Sequence, residues 1–228
     1  MSSPLSPTTG WNVVHLFCAV TPLADAGEIA AAVKSLEADD HQVVPVAVLG
    51  HKADLCLLAL GPDLWRLRRF QTEVAGAGLH VVDSYVSLTE VSEYARGMPE
   101  ERKNARLYPR LPPEGKTAFC FYPMSKRRGP DHNWYELPYD DRERLMQGHG
   151  STGRTFAGRV LQLVTGSTGV DDYEWGVTLF GVHSDDLKEC VYTMRYDEAS
   201  ARYAEFGPFV TGVVGTLDEV LHAVGVHA

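Results

Sequence analysis

Tyr122, Met124 and Lys126 fall at alternate positions of the run YPMSKRR, which ends in Arg127 and Arg128. Side chains alternate across a strand, so these three share one side of it. One reading is an anion-binding wall beside a phenol, each charge-assisted hydrogen bond to a carboxylate contributing roughly 1.5–3 kcal/mol. The other is a strand that ends in a solvated basic turn.

His149, in QGHGSTGR, follows Leu145 by four residues and Met146 by three, and so shares the helix face that looks inward. A single imidazole is enough to hold haem iron from one side. The same placement also suits a buried, hydrogen-bonded histidine. None of the nine histidines has metal-site spacing such as HExxH. Gln162 lies between Leu161 and Leu163 in RVLQLVTG, where an inward-facing amide needs a partner, either in the core or in a pocket. Ser200, in DEASARY, follows an expected helix end, where serine commonly bonds the backbone. Trp134, Tyr135 and Trp175 read as structural aromatics, His51 as a turn residue and His15 as a strand residue.

These residues need elements to hold them, and the apolar periodicity supplies two similar sets. Strands are expected over 11–20, 41–49, 53–60 and 79–91, with helices over 23–38 and 62–75. A charged stretch, 95–103, and the Pro-rich segment 108–115 read as a linker. The second set has strands at 116–124, 158–165, 173–180 and 205–214, helices at 139–155 and 184–197, and a short terminal helix at 217–224. Each set follows β-α-β-β-α-β, the ferredoxin-like order. No residue-level repeat links them. The expected fold is α+β: two ferredoxin-like halves, 11–105 and 106–228, packed as a double α+β barrel behind a mobile arm, 1–10.

The 228 residues, 44% hydrophobic and 22% charged, can bury a substantial core. No apolar run approaches the ~20 residues of a membrane helix, and MSSPLSPTTG has neither the basic start nor the apolar stretch of a signal peptide. The four cysteines are widely spaced without a CxxC pair, which fits reduced core thiols in a cytoplasmic protein. A net charge of −9 disfavours nucleic acid and anionic membrane as partners. It also means that an anionic ligand needs a local basic cluster.

The segments YPMSKRR, NWYELP, HGSTGR, VLQLVTGSTGVDDYEWGVTLF and MRYDEASARYAEFGPFVTG closely resemble the coproheme decarboxylases of the Firmicutes type, within the chlorite dismutase superfamily. GHKADLCLLALG and SYVSLTEVSEY extend the resemblance through the first half. Several long motifs in the right order are far more specific than one short pattern. The resemblance implies that Tyr122 is a catalytic, radical-forming tyrosine, that His149 is the proximal iron ligand, and that Gln162 is the distal-side glutamine. It implies propionate contacts from Lys126, Ser200 and Arg106, with Arg110 the competitor of Arg106, and places Met124 against the porphyrin. Pro123 and Ser125, inside the same run, line the same site. The implied substrate is iron coproporphyrin III, converted to haem b with hydrogen peroxide as oxidant. The implied assembly is a homopentamer, with transient contact to a ferrochelatase possible. The shorter motif and distal histidine of the actinobacterial members are absent from this sequence.

Overall fold

The computed structural model describes residues 3–95 and 97–227. The first two residues of the expected arm, and Arg96 in the charged stretch, lie outside them. In the first half, β1 (Asn12–Val20), α1 (Ala26–Glu37), β2 (Gln42–Leu49), β3 (Leu55–Gly61), α2 (Leu64–Gly76) and β4 (Leu79–Thr89) follow the expected order. Helix α3 (Glu100–Leu107) then leads to β5 (Ala118–Lys126). A 3-10 turn at Trp134–Glu136 precedes α4 (Tyr139–Arg154), β6 (Val160–Gly166) and β7 (Trp175–Gly181). The chain ends in α5 (Ser184–Met194), α6 (Glu198–Tyr203), β8 (Ala204–Phe206), β9 (Val210–Val214) and α7 (Leu217–Ala223).

Strand pairing shows why two halves make one body. Strands of the first half lie in the order β4-β1-β3-β2, and those of the second in the order β6-β7-β5-β9. The halves join twice: β2 pairs with β9 through Val46↔Val214 to Leu49↔Thr211, and β4 pairs with β6 at Leu88↔Gly166 and Thr89↔Thr165. Each seam sets the second strand of one half against the last strand of the other. With β5 also paired to β7, the eight strands close into an antiparallel barrel, and β8 extends the edge of β5. Closure removes the free edges at which open sheets aggregate.

Alternation along these strands sorts the apolar side chains into separate cores. The barrel interior takes Phe17, Leu58, Leu60 and Tyr85 from the first half and Phe119, Phe121 and Phe180 from the second. The outer face of the first half packs on α1, α2 and α7. The outer face of the second half, with Cys120, Tyr122, Val177 and Leu179, packs on Leu187 and Cys190 of α5. Alternation therefore sends Tyr122 outward, between the sheet and its helices.

Several boundaries differ from the expected ones for local reasons. Helix α1 begins at Ala26, not Leu23, because Asp25 caps it by accepting from the Glu28 N–H. The expected linker contains α3, in which no residue is fully buried, so it leaves no buried face to detect. A single helix expected over 184–197 ends at Met194, and Asp197 starts α6 by accepting from the Ser200 N–H. The expected strand 205–214 is interrupted at Gly207–Pro208, where the Gly207 N–H instead bonds the Pro123 carbonyl at 2.8 Å. Residues 3–10 have no regular structure, yet the Leu5 N–H donates to Asp63 and its carbonyl accepts from Leu64.

Candidate functional site

Strand β5 presents Ala118, Cys120, Tyr122 and Met124 to one apolar cluster, so the alternation inferred for Tyr122 and Met124 holds. Tyr122 is buried, its ring stacked on Phe209 at a centroid distance of 4.5 Å and edge-on to Phe206 at 5.6 Å. Burial pushes its phenol pKa well up, with smaller contributions from Cys120 and Cys190, so the group is a neutral O–H at ordinary pH. Pro123 points away from this face, while its carbonyl holds Gly207. Ser125 accepts the Glu174 N–H at 3.3 Å.

Lys126 ends the strand and is 7% exposed, a rare state for lysine. Its ammonium sits 4.2 Å from the centroid of the Trp134 ring. Desolvation lowers its pKa to about 8, partly offset by the negative charges of Asp197 and Glu174. Trp134 packs with Leu145, Ala199 and Tyr203, which draws the end of β5, α4 and α6 into one cluster.

On α4, Leu145 and Met146 face that cluster and carry His149 with them. His149 donates through Nδ1 to Asp197 Oδ2 at 3.0 Å, and the Ser200 hydroxyl lies 3.4 Å from the same nitrogen. Burial acts to raise the Asp197 carboxyl pKa, but the bonds from His149 and Ser200 outweigh it and hold it below the ordinary value. A carboxylate on Nδ1 fixes the tautomer that leaves Nε2 with its lone pair exposed. Nε2 has no hydrogen-bond partner among the described residues, and the side chain is 30% exposed.

One turn along α4, Gly153 brings the helix close to β6, where a Cβ on Gly153 would lie 3.4 Å from Gln162 Nε2. That amide also reaches Cys190 Sγ at 3.7 Å. Gln162 therefore stands on the same outer face as Tyr122, half-buried and uncharged. Beside it Val164 is 44% exposed. A hollow of about 350 Å³ opens over this face, lined by Cys120, Leu187, Val191, Arg195 and Phe209. It reaches the aromatic cover of Tyr122 but not His149 or Gln162. A larger hollow, about 570 Å³, lies towards Leu49 and Val213, away from these residues.

The structure thus brings Tyr122, Met124, Lys126, His149, Gln162 and Ser200 to one side of the second half. It does not gather Arg106. That residue lies on α3, exposed, with no hydrogen bond or ion pair to the described residues, and Arg110 is exposed as well. Asp197 and Glu174 went unnoticed in the sequence. Asp197 carried a usable signal, since aspartate is favoured just before a helix start, where its side chain accepts a backbone N–H of the first turn. Glu174 carried none.

Among the described residues no group of three His, Cys, Asp or Glu side chains could hold a metal ion directly. One accessible imidazole with a carboxylate behind it suits a metal that brings its other ligands in a macrocycle. The exposed Val164 on the same outer face as Gln162, and the buried cation of Lys126, suit a flat, carboxylate-bearing ring. These residues fit an iron porphyrin.

Barrel and site together define a closed α+β double barrel with a single backed imidazole and a buried phenol on the outer face of one half. The chain belongs to the chlorite dismutase family, whose model matches residues 24–215. It is 39% identical to the coproheme decarboxylase of Staphylococcus carnosus over 94% of this chain and 95% of that protein. A Natronomonas pharaonis protein named for heme binding is 45% identical over 77% of this chain, which spans only 32% of that longer protein. Among solved structures, a heme-binding protein from Thermus thermophilus superposes with a TM-score of 0.84 at 36% identity, covering 99% of this chain and 100% of that one. A chlorite dismutase mutant from Candidatus Nitrospira defluvii shares the fold with a TM-score of 0.79 at 19% identity, covering 96% of this chain and 97% of that one.

Proposed function

We propose that this chain removes two propionate carboxylates from iron coproporphyrin III, using hydrogen peroxide, to yield haem b. The observation that carries this reading is a buried, neutral phenol on the strand face that also bears Met124 and leads to a buried lysine. Similarity to the staphylococcal decarboxylase over nearly the whole of both chains supports the same substrate.

His149 would hold the iron through Nε2, with Asp197 keeping the imidazole oriented and basic. Lys126, the Ser200 hydroxyl and Arg106 or Arg110 would meet propionates, which a chain of net charge −9 could not otherwise attract. The bound iron porphyrin supplies the redox chemistry with peroxide. Tyr122 gives up an electron and its phenolic proton and then takes a hydrogen atom from the propionate side chain beside it. Its aromatic cover, Phe206 and Phe209, keeps water from the ring meanwhile. Each propionate consumes one peroxide and one proton. It releases one carbon dioxide and two waters and leaves one vinyl group.

Gln162 argues against chlorite as substrate, because an amide can donate a hydrogen bond but carries no charge to hold an oxychlorine anion. A haem carrier without turnover would need the imidazole and cations but not the phenol. We further propose a division at residues 105/106, the second half being the haem-binding one, although that point falls within α3. Homopentameric assembly, a cytoplasmic location and transient contact with a ferrochelatase belong to the same reading. No helix among the described residues is long and apolar enough to cross a membrane.

Tyr122→Phe tests the reading. Phenylalanine keeps the ring and its stacking but lacks the phenolic hydrogen. The variant is expected to bind coproheme within roughly tenfold of wild type, since one lost hydrogen bond is worth ~1 kcal/mol. With peroxide it should show none of the stepwise mass losses of decarboxylation by mass spectrometry. Haem b formation near the wild-type rate would make the tyrosine structural and the mechanism wrong. A wild-type protein that binds coproheme but never decarboxylates it would be a carrier.

A further inference from the structure

Glu174, in the connection before β7, is a carboxylate only 6% exposed. Its carbonyl accepts the Ser167 N–H at 2.8 Å and its carboxylate takes a hydrogen bond from the Tyr135 phenol, while its remaining bonds reach the end of β5. Its Oε2 accepts the Lys126 backbone N–H at 2.6 Å. Its own N–H donates to the Met124 carbonyl at 3.1 Å and lies 3.3 Å from the Ser125 hydroxyl oxygen. Three consecutive residues at the end of β5, Met124 and Lys126 of the candidate site among them, are thus tied to one residue of the neighbouring connection. A buried anion is costly unless its lone pairs are met and a cation lies near. Here the nearest ion pair is long, with Arg128 at 4.0 Å, and the Arg128 side chain is itself largely exposed.

We propose that Glu174 is a positioning residue for Lys126: it fixes the course of the Met124–Lys126 segment and adds, beside Asp197, a buried negative charge that favours the cationic lysine a carboxylate ligand needs. The ligand half of this statement rests on the function proposed above. The positional half stands on the ligand-free protein. Several groups face Lys126 or lie next to those that do. Asp197 stands before α6, with His149 of α4 behind it. Arg128, His132, Trp134 and Tyr135 follow β5, and Tyr203 ends α6. Asp197 is committed to His149 and Ser200, which leaves Glu174 as the carboxylate bonded to the lysine's own backbone. Asp197 and, to a smaller extent, Glu174 both oppose the lowering of the Lys126 pKa by desolvation.

Glu174→Gln keeps an oxygen to accept the Lys126 N–H but removes the charge, whereas Glu174→Asp keeps the charge on a shorter arm. The lysine titration is read by NMR of 13Cε-labelled lysine in ligand-free protein, with Lys126→Met assigning the signal. Glu174→Gln should lower the Lys126 midpoint measurably, because the charge lost favoured the ammonium while that of Asp197 remains. Glu174→Asp should restore most of it. With coproheme and peroxide, the glutamine variant should raise KM on the order of tenfold, about 1.4 kcal/mol of lost binding, with kcat changed far less. An unchanged midpoint together with an unchanged KM in Glu174→Gln would overturn the proposal, as would equal losses of kcat in both variants. Should the glutamine variant not fold, a wild-type midpoint in Glu174→Asp together with wild-type KM supports the role, and a midpoint lowered as in a chargeless site refutes it. If wild type itself does not use coproheme, the decarboxylase reading fails while the NMR still decides the role of Glu174.

Discussion

His149 and Lys126 show how little of a side chain's chemistry belongs to the side chain alone. The imidazole gains direction from Asp197, which is itself placed by capping α6 through the Ser200 N–H. Asp197→Asn keeps the shape but removes the charge that makes Nε2 a strong donor, so the iron–histidine stretch in resonance Raman spectra should move to lower frequency. His149→Ala should abolish that mode and weaken haem retention. An unchanged mode in His149→Ala would remove this residue from the iron. Lys126 carries a different consequence, because the fold holds its pKa near 8, below the ordinary 10.5. Between those values the unfolded chain binds a proton that the native protein does not, so this lysine's contribution to stability improves as pH rises from about 8 to 10.5. Below pH 8 its burial cost is present in full. Lys126→Met should therefore be more stable at pH 7 by on the order of 1–3 kcal/mol, read from urea unfolding, and lose this advantage by pH 10.5, while binding coproheme more weakly. A variant that is destabilised at pH 7 would show the ammonium to be stabilising where it lies. Function here is expected to oppose stability.

At the scale of elements, the seams between halves decide whether the barrel closes. Gly212 of β9 faces Val48 across one seam and Phe119 across the next pairing. A Cβ there would meet the Ala47 carbonyl oxygen at 2.5 Å and Val46 Cγ1 at 2.6 Å. The backbone oxygen cannot swing away as a flexible side chain can, so Gly212→Ala should cost roughly 1–3 kcal/mol, read as a lower urea midpoint. A neutral outcome would mean that the seam is slack. That seam was invisible in the sequence, although the elements on either side were not. Apolar runs of strand length, alternating in some and continuous in β3, announced the eight barrel strands, and the two-residue period put Tyr122 and Met124 on one face. Helical spacing placed His149 inward with Leu145 for a similar reason. Helix α3 escaped notice because none of its residues is fully buried, and the break at Gly207–Pro208 escaped because both flanking pieces remain extended. Gln162 and Ser200 were legible as functional only through resemblance. Their neighbours, Cys190 at 28 residues' separation and His149 at 51, are long-range contacts that no local pattern encodes.

Over the whole molecule, the barrel interior joins the halves into one folding unit. Phe17 and Tyr85 of the first half meet Phe121 of the second at ring distances of 5.5 and 5.3 Å, so neither half encloses this core alone. Among those rings lies His15, fully buried on β1, its Nε2 at 2.9 Å from the Thr178 hydroxyl on β7. Its Nδ1 has no hydrogen-bond partner among the described residues. Desolvation drives its pKa down to about 3, so the native barrel holds it neutral. Once unfolded it titrates near the ordinary 6.5. Between pH 6.5 and 3 the unfolded chain binds a proton that the native state refuses, and stability must fall as pH falls through that window. For one group the slope approaches about 1.4 kcal/mol per pH unit. His15→Leu keeps apolar bulk in the barrel but has nothing to protonate. It forfeits the Thr178 bond, so it should be equal to or less stable than wild type at pH 7. By pH 4.5 the comparison should have moved in its favour by roughly 2–3 kcal/mol, measured as urea midpoints at both pH values. Parallel decline of the two proteins would show that acid opens the barrel elsewhere, through its carboxylates, before His15 is reached. A crossing of the two curves would mark this imidazole, at the junction of the halves, as the point where protonation parts them.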